Sequence, residues 1–170
     1  NLNTIKKVRD RLWFTENNSS DVWYGGIGSI TGTLTKFQLS QIAGGGTCVA
    51  IAPHSQDAGF GPDDYTVFVM YTGEVLMYSG DVSTSFTKAG NYRMPAPVGR
   101  KCTVNIGGQL AIITHMGLVP MTAAIQGIAF DALALGNFGK VAPSFLNDVN
   151  DYGLLEGWEV SFFEGRVIVN

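Results

Sequence analysis

Residues 11–24 read RLWFTENNSSDVWY, and this stretch indicates the fold class of the chain. Aromatic and aliphatic strand formers at 11–15 and 22–24 flank a segment, 16–21, that is rich in Asn, Ser and Asp. Side chains of this second kind favour turns because they hydrogen-bond to the local backbone. The stretch therefore predicts a β-hairpin.

Three later segments repeat this form of apolar strand, polar or Gly turn and second apolar strand. They cover residues 65–78, 102–119 and 158–169. Counted from turn to turn, the four units are spaced by about 55, 44 and 48 residues, close to the period of roughly 40–50 residues typical of propeller blades. A β-sandwich would place turns about every 8–12 residues without this longer period. The sequence predicts an all-β, β-propeller-like array of antiparallel hairpin blades, with further strands at 33–39, 49–52 and 85–92.

One segment departs from the strand pattern. Residues 121–135 are rich in Ala, Leu and Ile, and the following residues carry apolar side chains at helical spacing. These apolar positions are Phe145, Leu146, Val149 and Tyr152. Pro143 suits the first turn of a helix and Gly153 suits its end. The pattern predicts one inserted helix near 142–153.

The composition indicates a protein that buries surface against partners. The chain has 170 residues, of which 45% are hydrophobic and 15% charged, whereas average domains carry about 25% charged residues. We expect part of this poorly charged surface to contact other subunits. We expect residues 1–170 to form one propeller-type domain, and a segment of a longer protein, because the first residue is Asn1 and not Met.

The charge pattern disfavours a dedicated nucleic-acid-binding face, because the formal net charge is −3. The nearest basic cluster is Lys6, Lys7, Arg9 and Arg11. We interpret it as a solvated strand edge, and the alternative is an electropositive strip that contacts DNA non-specifically. No apolar stretch reaches the roughly 18 residues of a membrane span, so no membrane contact is expected.

Two segments are candidate ligand sites: one is rich in glycine, and the other contains three aspartates. Residues 25–32 form a Gly-rich run, but it lacks the Lys-Ser/Thr ending of a phosphate-binding loop and is better explained as a strand connection. Asp57, Asp63 and Asp64 share one predicted loop, and clustered carboxylates of this kind could hold Ca²⁺. Their spacing is not that of an EF-hand, and an ordinary acidic loop explains them as well.

No catalytic, cofactor-binding or metal-binding residue is assigned. His54 and His115 are predicted in turns of different units, without a Cys or carboxylate at metal-ligand spacing, and no G-x-S-x-G elbow is present. Cys48 and Cys102 lie in apolar runs and are predicted to be free and buried, which fits a reducing compartment.

Several aromatic and aliphatic side chains allow two interpretations. A sugar-binding platform could be built from Trp13, Trp23, Tyr24 and Trp158. All four lie in predicted strands with apolar neighbours, which favours packing in a core or an interface. The side chains that we expect to be largely buried are Trp13, Phe14, Trp23, Phe68, Val69, Leu76, Ile112 and Val119.

At this point the motifs resemble a known family. The chain is similar to the tail-hub, or packaged-DNA-stabilisation, proteins of short-tailed bacteriophages along nearly its whole length and in the same motif order. The segments that carry the resemblance are 11–14, 16–19, 22–24, 64–69, 73–75, 97–100, 157–159 and 168–170.

The resemblance implies a non-enzymatic structural protein of the virion tail that is assembled in the host cytoplasm. Such hubs form rings beneath the portal, usually sixfold, and contact connector, needle and fibre proteins while helping to retain packaged DNA. The family offers no catalytic residues to transfer. An alternative is a carbohydrate-binding propeller that recognises host-surface glycans, which should show exposed aromatic side chains at matching places in each blade. A third hypothesis, a propeller hydrolase, requires acid pairs, and only the segment 57–64 comes near this.

Overall fold

The computed structural model describes residues 1–57, 62–128, 143–153 and 157–170. Strands account for 54% of the described residues, and the strand pairs of the sheets are antiparallel. The all-β prediction is therefore confirmed. The chain divides into two compact units, residues 1–91 and 92–170. That the whole chain acts as one domain stays a prediction.

The first sheet of the N-terminal unit is a four-stranded meander with the strands in chain order. Its strands are β1 (Leu2–Val8), β2 (Arg11–Glu16), β3 (Val22–Tyr24) and β4 (Thr35–Phe37). The hairpin predicted for residues 11–24 is present as β2 and β3. The sequence did not predict β1. It predicted the fourth strand as residues 33–39, but β4 ends at Phe37, just before a 3₁₀ turn that begins at Leu39.

The second sheet of this unit is also a four-stranded meander in chain order. Its strands are β5 (Cys48–Asp57), β6 (Pro62–Met70), β7 (Glu74–Asp81) and β8 (Ser85–Arg93). Gly73 forms the β6–β7 turn with a φ of 84°, a conformation that residues with a Cβ rarely adopt. The predicted hairpin at 65–78 is confirmed, while β5 extends well beyond the predicted 49–52.

An aromatic core lies between these two sheets. Trp13, 2% exposed, packs on Tyr24 of its own sheet at 5.2 Å between ring centroids. It also meets two rings of the second sheet, Phe68 at 5.4 Å and Phe86 at 5.7 Å. The two meanders are thus packed face to face.

Two of the eight side chains predicted to be buried are only half-buried, and for these the prediction was wrong. They are Phe14 and Trp23. Side chains alternate between the faces of a strand, so Phe14 points away from the face that carries Trp13. Trp23 is paired with Phe14 and shares this outer face. The other six are buried as predicted.

The C-terminal unit contains a three-stranded meander, a hairpin and two described helices. The strands are β9 (Thr103–Ile106), β10 (Gln109–Thr114), β11 (Gly117–Pro120), β12 (Val160–Phe163) and β13 (Arg166–Val169). The helices are α1 (Met121–Ile125) and α2 (Pro143–Tyr152). The hairpins predicted at 102–119 and 158–169 are confirmed. The Ala-rich segment 121–135 begins with α1, a turn follows it, and residues 129–135 lie outside the described residues.

The helix predicted near 142–153 is confirmed as α2, and it ends as expected because the N–H of Gly153 donates to the carbonyl oxygen of Val149 at 2.8 Å. Phe145 and Val149 are buried. Tyr152, which was expected on the apolar face, is instead 55% exposed. The side chain of Leu146 lies outside what the structure describes.

We expect Trp13→Ala to lower the free energy of unfolding by about 3–5 kcal/mol, because the substitution leaves a cavity between two sheets. The matched change Trp23→Ala on the outer face should cost about 1–2 kcal/mol, since that ring is already partly in contact with water. Urea unfolding of both variants, followed by tryptophan fluorescence and circular dichroism, measures the difference. Equal losses would contradict the assignment of the two faces.

Candidate functional site

A polar clamp joins the two sheets of the N-terminal unit beside the aromatic core. Arg11 donates from Nε and Nη2 to the two carboxylate oxygens of Asp81, at 3.0 and 2.9 Å. Its Nη1 donates to the carbonyl oxygen of Gly25 at 2.9 Å, and the guanidinium lies 5.6 Å from the ring centroid of Tyr24. The side chain of Arg11 is only 8% exposed, so its burial depends on these partners.

The clamp shifts the titration of Asp81. Hydrogen bonds from Arg11 hold the pKa of the Asp81 carboxyl well below its usual range, burial opposes this, and hydrogen bonds from Ser83 lower the pKa further. The pKa of Arg11 is raised, chiefly by the same hydrogen bonds to Asp81. Both side chains therefore stay ionised across the physiological pH range.

The neighbouring residue Arg9 also contacts the second sheet. It donates to the carbonyl oxygens of Gly80, at 2.9 Å, and Asp64. Together with Asp10, Asp63 and other residues it lines a cleft of about 550 Å³. The interpretation of residues 6–11 as one solvated basic edge was therefore wrong for Arg11, which is buried. Lys6 and Lys7 remain exposed on β1.

The acidic residues singled out in the sequence lie at the ends of two paired strands, and the side chain of Asp57 lies outside what the structure describes. Asp57 ends β5, and Asp63 and Asp64 lie in β6 rather than in a loop. Both Asp63 and Asp64 line the cleft beside Arg9. The carboxylate of Asp64 accepts a hydrogen bond from the Ser55 hydroxyl at 2.6 Å. Among the described residues, no group of three metal-ligating side chains could hold an ion.

The two histidines differ in environment. His54 lies within β5 and not in a turn as predicted, and it is 3% exposed. Neither of its ring nitrogens has a hydrogen-bond partner among the described residues, and burial lowers its pKa. His115 lies in the turn between β10 and β11, as predicted. The two residues lie in different units.

The four candidate platform residues are engaged in packing. Trp13 is in the core. On the outer face of the first sheet, Trp23 donates its indole N–H to Glu16 at 3.2 Å, and Lys36 Nζ lies 5.6 Å from its ring. Trp158 donates to the backbone oxygen of Tyr152 at 3.0 Å.

The remaining candidates have structural roles. Cys48 and Cys102 are buried and form no disulfide, as predicted, and burial raises the pKa of Cys102 to about 12. The Gly-rich run 25–32 connects β3 to β4, and two of its backbone N–H groups bond to the β1–β2 hairpin. It serves as a strand connection, as the sequence indicated.

The structure displays two apolar surfaces that the sequence did not single out. The first, called here the outer row, is formed by Ile5, Phe14 and Trp23, which are aligned across β1, β2 and β3 on one face. Ile5 at its edge is 58% exposed. The cross-strand register, which a sequence does not state, brings these three side chains together.

The second surface is the hairpin of β12 and β13, called here the C-terminal hairpin. Its exposed hydrophobic side chains are Phe162 (40%), Phe163 (64%), Val167 (40%) and Ile168 (43%). They lie on both faces of the hairpin, because Phe162 pairs with Val167 while Phe163 and Ile168 occupy the alternate positions. The sequence signal that could have revealed this surface is the lack of alternation in VSFF and RVIV.

No family model, curated protein or solved structure matches this chain. Among the described residues, the helices are too short or too polar to cross a membrane.

We expect Asp81→Asn to destabilise the protein by about 3 kcal/mol at pH 7, because it leaves Arg11 buried without its counter-charge. A carboxyl group whose pKa is lowered by folding adds stability above its unfolded pKa of about 3.9 and loses it as the pH falls through the folded value. The difference between wild type and variant should therefore shrink in strong acid. Urea unfolding between pH 7 and pH 2 measures it, with Asp10→Asn as the exposed control; a pH-independent difference would contradict the ion pair.

We expect His54 to weaken the fold in mild acid. Its folded pKa is lowered, so the unfolded chain takes up a proton below about pH 6.5 before the folded chain does. The free energy of unfolding should fall between pH 7 and pH 5. His54→Leu should reduce this slope in urea unfolding measured across that range. His115→Leu, which removes the other histidine, is the control, and a slope that vanishes only in that variant would contradict the role of His54.

Proposed function

We propose that this chain is a structural component of a phage tail hub that forms a ring beneath the portal. In this role it joins connector, needle and fibre proteins and helps to retain packaged DNA. The observation that carries the proposal is the pair of consecutive four-stranded meanders packed face to face in the N-terminal unit. Four-stranded sheets that succeed one another in this way are the building units of β-propellers.

The burial of the second meander supports the comparison with propeller blades. In β6 and β7, residues 67–70 and 75–78 are all 4% exposed or less, so both faces of this sheet are covered. Within β2 of the first meander, only alternate side chains are buried. An inner blade of a propeller is covered on both faces by its neighbours, whereas a terminal blade keeps one face for a further partner.

Two motifs of the family resemblance meet in the C-terminal unit. Gly99, in the segment 97–100, has a φ of 70°, and a Cβ added there would lie 2.7 Å from the Cβ of Trp158. Lys101 forms a backbone bridge and an ion pair of 2.9 Å with Glu159. Gly99 thus has a structural reason for its residue type, because a larger residue there would collide with Trp158 of the second motif.

The competing hypotheses find less support. A glycan-binding face needs free aromatic rings, but Trp13 is buried and Trp23 lies between Lys36 and Glu16. Contact with packaged DNA rests on the exposed Lys6 and Lys7, since Arg9 and Arg11 bond within the chain. We therefore assign DNA contact a secondary, non-specific part in the proposal.

We expect the purified chain to form closed rings, and six subunits is the number that the family resemblance implies. Native mass spectrometry and cryo-electron microscopy measure this number. Because the exposed surfaces are apolar, the rings should persist at about 1 M salt, which screens surface ion pairs but does not weaken apolar burial. Dissociation into monomers at high salt would show that charged contacts dominate the interface, and a monomer under all conditions would contradict the proposed hub.

A further inference from the structure

We draw no further inference here: the strongest candidate, the exposed apolar surface of the C-terminal hairpin formed by β12 and β13, carries none because nothing in the structure shows what covers it.

Discussion

The N-terminal unit depends on the packing of Trp13 across the interface between its two sheets. This ring meets Tyr24 within its own sheet and Phe68 and Phe86 in the other. Because strand side chains alternate, the same face of β2 also carries Arg11. The apolar packing that removes water from this interface therefore also desolvates the guanidinium, which can be buried only because Asp81 and the Gly25 carbonyl accept its hydrogen bonds. Strand β2 thus supplies both the hydrophobic contact of Trp13 and the ion pair of Arg11 that hold the two sheets against each other.

The sequence predicted the elements that are defined by neighbouring residues. The hairpins at 11–24 and 65–78 have turn residues between strong strand formers, and α2 has both its spacing and its end signals within one short segment. It did not predict β1, because LNTIKKV shows no clean alternation and becomes a strand only by pairing with β2. Nor could it find the partner of Arg11, which lies 70 residues away. Trp13 and Trp23 are both aromatic residues in strands of one hairpin, and only the position of the second sheet determines which of them is buried.

The two meanders of the N-terminal unit differ in how much of each sheet is exposed. In the second sheet, residues 67–70 of β6 and 75–78 of β7 are all buried, so these segments present no exposed apolar side chain. The first sheet keeps an outer face with Phe14 and Trp23 half-exposed. A chain in which only 25 of the 170 residues are charged has few means of making such a face soluble. Assembly with other subunits, which we propose, would cover this face.

Lys36 shields part of the apolar outer face of the first sheet from water. Its ammonium group lies over the ring of Trp23 and forms ion pairs with Asp21 at 3.1 Å and Glu16 at 3.7 Å. This arrangement holds the indole ring in place and puts charged groups at the β4 side of the sheet. No such cover exists at the opposite end of the outer row among the described residues, where Ile5 on the edge strand is more exposed than either aromatic ring. Burial of exposed apolar surface is favourable in proportion to its area, so covering Ile5 would stabilise an assembly of the kind that we propose. The exposed fraction of the apolar side chains thus rises across the sheet towards β1, its edge strand.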